Sequence, residues 1–176
     1  MNFSRRSFLS QGAAILGAAA ATTTLAAPAL ALTNPTVALQ CAHTGRSCAI
    51  ENYDGALSTS EANAFRAVTR DWRANKVFGM DLRLVDILSD ISKKAKSEVT
   101  TSLISGYRTP GTNMKLNGTA TGSLHMKGKA MDIRYPGLST RELRDIARSL
   151  RAGGVGYYPQ RHNLFVHVDT GRVRYW

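Results

Sequence analysis

Phe165-Val166-His167-Val168-Asp169 reads as a β-strand with two unlike faces. Successive side chains alternate across a strand. Val166 and Val168 therefore point into a core, while His167 and Asp169 share the opposite face. Two polar groups on one face of an apolar strand need something that offsets their desolvation. A metal ion is one such partner. Simple exposure on an edge strand is the other.

The pattern extends in both directions from this strand. Val155 to Tyr158 and Arg172 to Trp176 read as further strands, which gives three closing strands. Upstream, Ser139-Thr140-Arg141-Glu142 is a capping box, in which serine and glutamate satisfy each other's backbone amides. It opens a helix carrying Leu143, Ile146, Ala147 and Leu150, ended by Gly153-Gly154. Ala130 to Tyr135 is a short strand, and Gly106 to Gly122 is a long Gly-, Asn- and Thr-rich loop. Val99 to Ser105 is a Thr- and Ile-rich strand.

Before that come two helices. Asp81 is placed to cap one that runs to about Ala95, with Leu84, Val85, Leu88 and Ile91 inward. Thr59 to Asn75 forms the other, with Phe65, Val68 and Trp72 on one face. Residues 32–55 read as irregular chain with a hairpin turning at Thr44-Gly45, followed by the turn Asn52-Tyr53-Asp54-Gly55. The whole is a small α+β domain, an antiparallel sheet with flanking helices.

Length and composition agree. A chain of 176 residues with 43% hydrophobic and 20% charged residues is globular and of single-domain size. Its 23 Lys and Arg against 12 Asp and Glu give +11, which suits an anionic polymer. Nucleic acid is not that polymer: aromatics are 7%, and no helix carries a basic stripe with base-reading residues.

Residues 1–31 differ from the rest. Arg5 and Arg6 precede an uncharged, alanine-rich run that ends in Ala29-Leu30-Ala31, a small-x-small cleavage signal. Ser4-Arg5-Arg6-Ser7-Phe8-Leu9 resembles the bacterial twin-arginine export motif. The competing reading is a membrane anchor, but a run so poor in large apolar residues is weakly hydrophobic. The expectation is a cleaved twin-arginine signal peptide over 1–31 and a periplasmic domain over 32–176. The domain then has no stable membrane anchor and, without Arg5 and Arg6, keeps a charge of +9. Export permits a disulfide between Cys41 and Cys48, and two small half-buried thiols are the alternative.

Chemistry concentrates in the last third. His125 and Asp132 stand seven apart with Gly128 between them, and a sharp turn at that glycine brings their side chains together. A neutral imidazole and a carboxylate are good zinc ligands, and the strand at 165–169 is the best source of the third that a catalytic site needs. No His-Glu-x-x-His, Gly-x-Ser-x-Gly or Ser-x-x-Lys occurs, which argues against thermolysin-like, esterase-like and penicillin-binding mechanisms.

Three segments occur in order: Ser105-Gly106-Tyr107-Arg108-Thr109-Pro110, the Ser-x-His-x-x-Gly-x-Ala-x-Asp pattern from Ser123 to Asp132, and Phe165 to Asp169. Together they resemble the zinc D-alanyl-D-alanine peptidases of the M15 type, in particular the YcbK-like murein endopeptidases. His43-Thr44-Gly45 and the closing Thr170 to Trp176 look like that group too. The resemblance implies the small α+β fold shared with the Hedgehog signalling domain, one Zn2+, and action on the peptide stems of peptidoglycan. It implies His125, Asp132 and His167 as zinc ligands and Arg108 as the holder of a substrate carbonyl or carboxylate. Related enzymes carry an acid–base residue a few positions before the last zinc histidine. Here Leu164 stands three before it, which leaves His162 as a proton shuttle and Asp169 as the other catalytic candidate. A wall-binding module that keeps the zinc without catalysis is the alternative.

Overall fold

The computed structural model describes residues 35–116, 121–160 and 164–176. The expected signal peptide and His162 lie outside the described residues. Seven strands form one sheet: β1 (Val37–Cys41), β2 (Ser47–Ile50), β3 (Thr101–Ser105), β4 (Ala130–Arg134), β5 (Gly154–Tyr158), β6 (Phe165–Asp169) and β7 (Arg174–Tyr175). Their order is β2-β1-β3-β4-β6-β5-β7. The fold class is α+β, as the sequence reads. The sheet is mixed rather than wholly antiparallel, because β1 runs parallel to β3 and β7 runs parallel to β5. Parallel neighbours need a long crossover. Two helices fill the first one, α1 (Thr59–Val68) and α2 (Arg83–Ala95).

α1 opens with a capping box: Ser58 Oγ accepts from the Glu61 amide at 3.3 Å, and Glu61 accepts from the Ser58 amide at 2.8 Å. It buries Phe65 and Val68 but stops at Val68 instead of reaching Asn75. Two side chains end it. Thr69 Oγ1 donates back to the Phe65 carbonyl at 2.7 Å. Asp71 Oδ1 then accepts from the amides of Arg73 and Ala74 at 3.0 and 3.1 Å, a turn that competes with helix.

α2 buries the expected Leu84, Val85, Leu88 and Ile91. Leu82, not Asp81, holds the cap position, although Asp81 Oδ1 does accept from the Arg83 amide at 3.2 Å. Asp81 instead ties the start of α2 to the far end of β6: its Oδ2 accepts from Thr170 Oγ1 at 2.7 Å, and Arg83 binds both carboxylate oxygens. The bonds from Arg83, helped by Thr170 and opposed by burial, lower its pKa to about 2. An unfolded aspartate titrates near pH ~3.9. The stabilisation from Asp81 is therefore complete above that value and is lost as pH falls from about 4 towards 2. Wild type should exceed Asp81→Asn in chemical-denaturation stability by a constant margin above about pH 5, and the margin should close by about pH 2.

The core lies between the sheet and α1, α2 and α4 (Thr140–Leu150), the last opened by the Ser139–Glu142 capping box. Met131, Ile133, Val166 and Val168 face it, each no more than 1% exposed. The loop after β3 holds one short helix among its described residues, α3 (Pro110–Met114), capped by Thr109. Both cysteines are free thiols. The hairpin register sets Cys48 opposite Leu39, two residues from Cys41, and burial pushes the Cys48 thiol up to about 11.

Candidate metal centre

The sheet face opposite the core carries the site. Strand pairing sets Ser105 beside Asp132, Asp132 beside His167, and His167 beside Gly156. These four residues form a row across β3, β4, β6 and β5. β6 is an interior strand, so exposure at an edge does not explain His167 and Asp169; both are buried.

His125 reaches the row from outside the sheet. Ser123 Oγ caps a 3-10 turn over Leu124–Lys127, and Gly128 closes it at φ +64. A side chain at Gly128 would be strained by that φ, and its Cβ would lie 2.2 Å from the Gly79 carbonyl oxygen. The expected turn at Gly128 is thus present, and it delivers a histidine that is only 2% exposed.

The donor atoms converge. His125 Nε2 lies 3.2 Å from Asp132 Oδ1 and 3.1 Å from His167 Nδ1, and His167 Nδ1 lies 2.9 Å from Asp132 Oδ1. The far nitrogen of each ring is bound elsewhere: His125 Nδ1 donates to the Gly106 carbonyl at 2.7 Å, and His167 Nε2 donates to Asp169 Oδ2 at 3.1 Å. Each neutral ring therefore turns a lone pair towards Asp132 Oδ1. Three acceptors in mutual contact repel one another unless a cation sits among them. Ligand atoms about 2.0–2.2 Å from a tetrahedral zinc are separated by roughly 3.3–3.6 Å, only slightly more than the spacing found here. These are the three residues whose donor atoms gather into a potential metal site among those described.

Electrostatics follow from burial and pairing. Burial lowers the pKa of His125 despite the nearby Asp132 carboxylate. Burial also opposes charge on His167, but the Asp132 and Asp169 carboxylates beside its two nitrogens outweigh that and raise its pKa. Asp132 is desolvated, yet the two imidazoles hold its pKa well below the usual carboxylate range.

Two residues around the triad are more occupied than the sequence suggests. Arg108 Nε donates to Ser105 Oγ at 2.7 Å, and its Nη2 pairs with Asp132 Oδ2. Nη1 is left without a hydrogen-bond partner among the described residues. Asp169 is fully buried and accepts five hydrogen bonds. They come from His167 Nε2, the Gly154 amide at 3.1 Å, the Gly171 amide at 2.8 Å, and Arg174 at 3.1 and 2.7 Å. His43 is not one of the gathered donors and stacks on Trp72 at 4.2 Å. Ser105, the Gly106 carbonyl and Arg174 belong to the site without any local sequence signal for the roles they take. Only the alternation of Arg174 with Trp176 in the closing strand hints at a shared face.

A seven-stranded α+β domain with a buried His-Asp-His donor set is consistent with the M15 peptidase fold. A family model described as peptidoglycan L,D-endopeptidase MepK (peptidase M15_2) matches residues 30–176, and the chain belongs to that family. It is 40% identical to the peptidoglycan L,D-endopeptidase MepK of Escherichia coli K12 over 181 residues, covering 98% of this chain and 96% of that protein. It is 42% identical over 116 residues to a probable peptidoglycan L,D-endopeptidase MepK of Haemophilus influenzae, covering 61% and 59% of the two chains. No solved structure matches the chain.

Proposed function

We propose that this protein is a zinc-dependent peptidoglycan L,D-endopeptidase, exported to the periplasm, that cuts peptide cross-links between murein stems. The observation that carries the zinc is the set of three lone pairs within 3.2 Å of one another on His125, Asp132 and His167. The L,D bond is supported by the activity for which its relatives are named, and a 3–3 cross-link is the matching substrate.

Held by those three residues, zinc would supply Lewis acidity, which polarises a carbonyl and provides a nucleophile near neutral pH. The chain's own groups do the rest. Gly106 and Asp169 fix the tautomer of each histidine, so that His125 Nε2 and His167 Nδ1 face inward unprotonated. Arg108 holds Asp132 Oδ2 with one arm and offers Nη1 to a substrate carbonyl or carboxylate. Asp169 acts as an orienter of His167, since all its lone pairs are engaged. His162 is the remaining candidate for proton transfer. His162→Ala should lower turnover by about 10²–10⁴-fold and leave zinc bound.

The test is metal analysis of the purified protein, together with mass spectrometry of muropeptides from digested sacculi. Stoichiometric zinc and release of 3–3 linked stems are expected. Wall binding without turnover would instead mark a non-catalytic module. Export has its own test: Lys at both Arg5 and Arg6 should leave precursor in the cytoplasm, detected by fractionation and immunoblot.

A further inference from the structure

Trp176 has no part in the chemistry above, yet it is seated against the site from several directions. Its backbone extends the β5–β7 pairing, accepting from the Tyr157 amide at 2.9 Å and donating to the Val155 carbonyl at 3.3 Å. Its indole Nε1 donates to the Tyr158 hydroxyl at 2.8 Å. The ring lies 5.2 Å from the His167 ring at an interplanar angle of 52°, with the Arg174 guanidinium 4.8 Å from the centre of the indole.

Gly156 makes this seat possible. It pairs directly with His167, and a Cβ there would meet three indole atoms at 2.7–2.8 Å. The indole thus fills the place that a side chain on β5 would take, beside the metal-facing imidazole. It is not a core side chain, because it stays 49% exposed.

The hydrogen bonds of His167 leave one motion poorly restrained. Only Nε2 donates, to Asp169 Oδ2, because Nδ1 turns its lone pair inward, so the inward end of the ring is not fixed by a hydrogen bond. Packing by the Trp176 ring on one side and the His125 ring, 4.9 Å away, steadies that end. We infer that Trp176 is a positioning residue: seated over Gly156 and pinned by Tyr158, it fixes the His167 ring so that Nδ1 faces Asp132 and His125. This inference rests on the metal-site reading above.

The experiment measures zinc affinity by chelator competition on full-length purified protein, alongside kcat, KM and the thermal midpoint. Trp176→Ala should weaken zinc binding by about tenfold, the low end for residues that orient a ligand, and lower kcat more than it raises KM. Trp176→Phe should restore most of the affinity. Gly156→Ala keeps the indole but blocks its seat, so it should behave like Trp176→Ala. The chain has two tryptophans, so a Trp72→Phe background isolates Trp176, whose emission should change on zinc addition. That measurement stands even if Trp176→Ala fails to fold.

Unchanged zinc affinity in both Trp176→Ala and Gly156→Ala would overturn the inference. A rise in KM alone, a fall in the thermal midpoint alone, or Trp176 emission indifferent to zinc would do the same. Absence of zinc binding by the wild type would instead remove the metal-site reading, and the inference with it.

Discussion

Asp132→Ala should abolish both stoichiometric zinc and turnover while the sheet survives. Asp132 sits at the centre of the donor set: Oδ1 is within 3.2 Å of both histidines, and Oδ2 pairs with Arg108. Its removal deletes one of the three proposed ligands and leaves two imidazoles and a buried guanidinium without their shared carboxylate. The Lewis acidity of a metal is worth several kcal/mol in the transition state, so the rate should fall by at least about 10³-fold. His125→Ala and His167→Ala should show the same loss. The fold should persist, because the core face of β4 and β6 is carried by Met131, Ile133, Val166 and Val168, which these changes do not touch. Metal analysis and circular dichroism on the same samples check both halves. Stoichiometric zinc in any of the three variants would strike that residue from the ligand set.

Much of the fold and of the candidate metal site is legible in the amino-acid sequence because strand alternation and capping are local. The split of Val166 and Val168 from His167 and Asp169 follows from a period of two. The Ser139–Glu142 box and the apolar face of α2 follow from short-range spacing. What the sequence hides depends on contacts between distant residues. The end of α1 is set by Asp71, whose carboxylate reaches Thr109, 38 residues away, at 2.8 and 2.9 Å. The row from Ser105 to Gly156 exists only once four strands are in register. No spacing rule brings β1 beside β3 in parallel, or carries the chain back to lay β7 beside β5. Asp169 is the clearest case among the site residues. Its position on the strand marks it as chemical, but its partners come from β5, β6, the turn after β6 and β7, so its role is not readable from the strand alone.

Those partners make Asp169 the second large expectation. A general base needs a free lone pair facing the reacting atoms, and Asp169 has none to spare: its oxygens accept from His167, two backbone amides and both arms of Arg174. Despite its burial these bonds hold its pKa well below the ordinary carboxylate value. In Asp169→Asn one oxygen becomes an NH2 group. Either Arg174 and His167 or Arg174 and the amides then meet a donor where they had an acceptor. Leaving a buried donor or acceptor without its partner costs about 1–3 kcal/mol, so the thermal midpoint should drop clearly. Zinc affinity should fall by about 10–100-fold, because the tautomer and tilt of His167 are no longer fixed. Activity should then recover in large part when zinc is supplied in excess, which loss of a proton-transfer group would not permit. The pair of results, weakened zinc with rescue or intact zinc with a dead enzyme, separates an orienting carboxylate from a base. Arg174→Lys should follow Asp169→Asn in a milder form, since a lysine replaces the two-armed grip on the carboxylate with one ammonium.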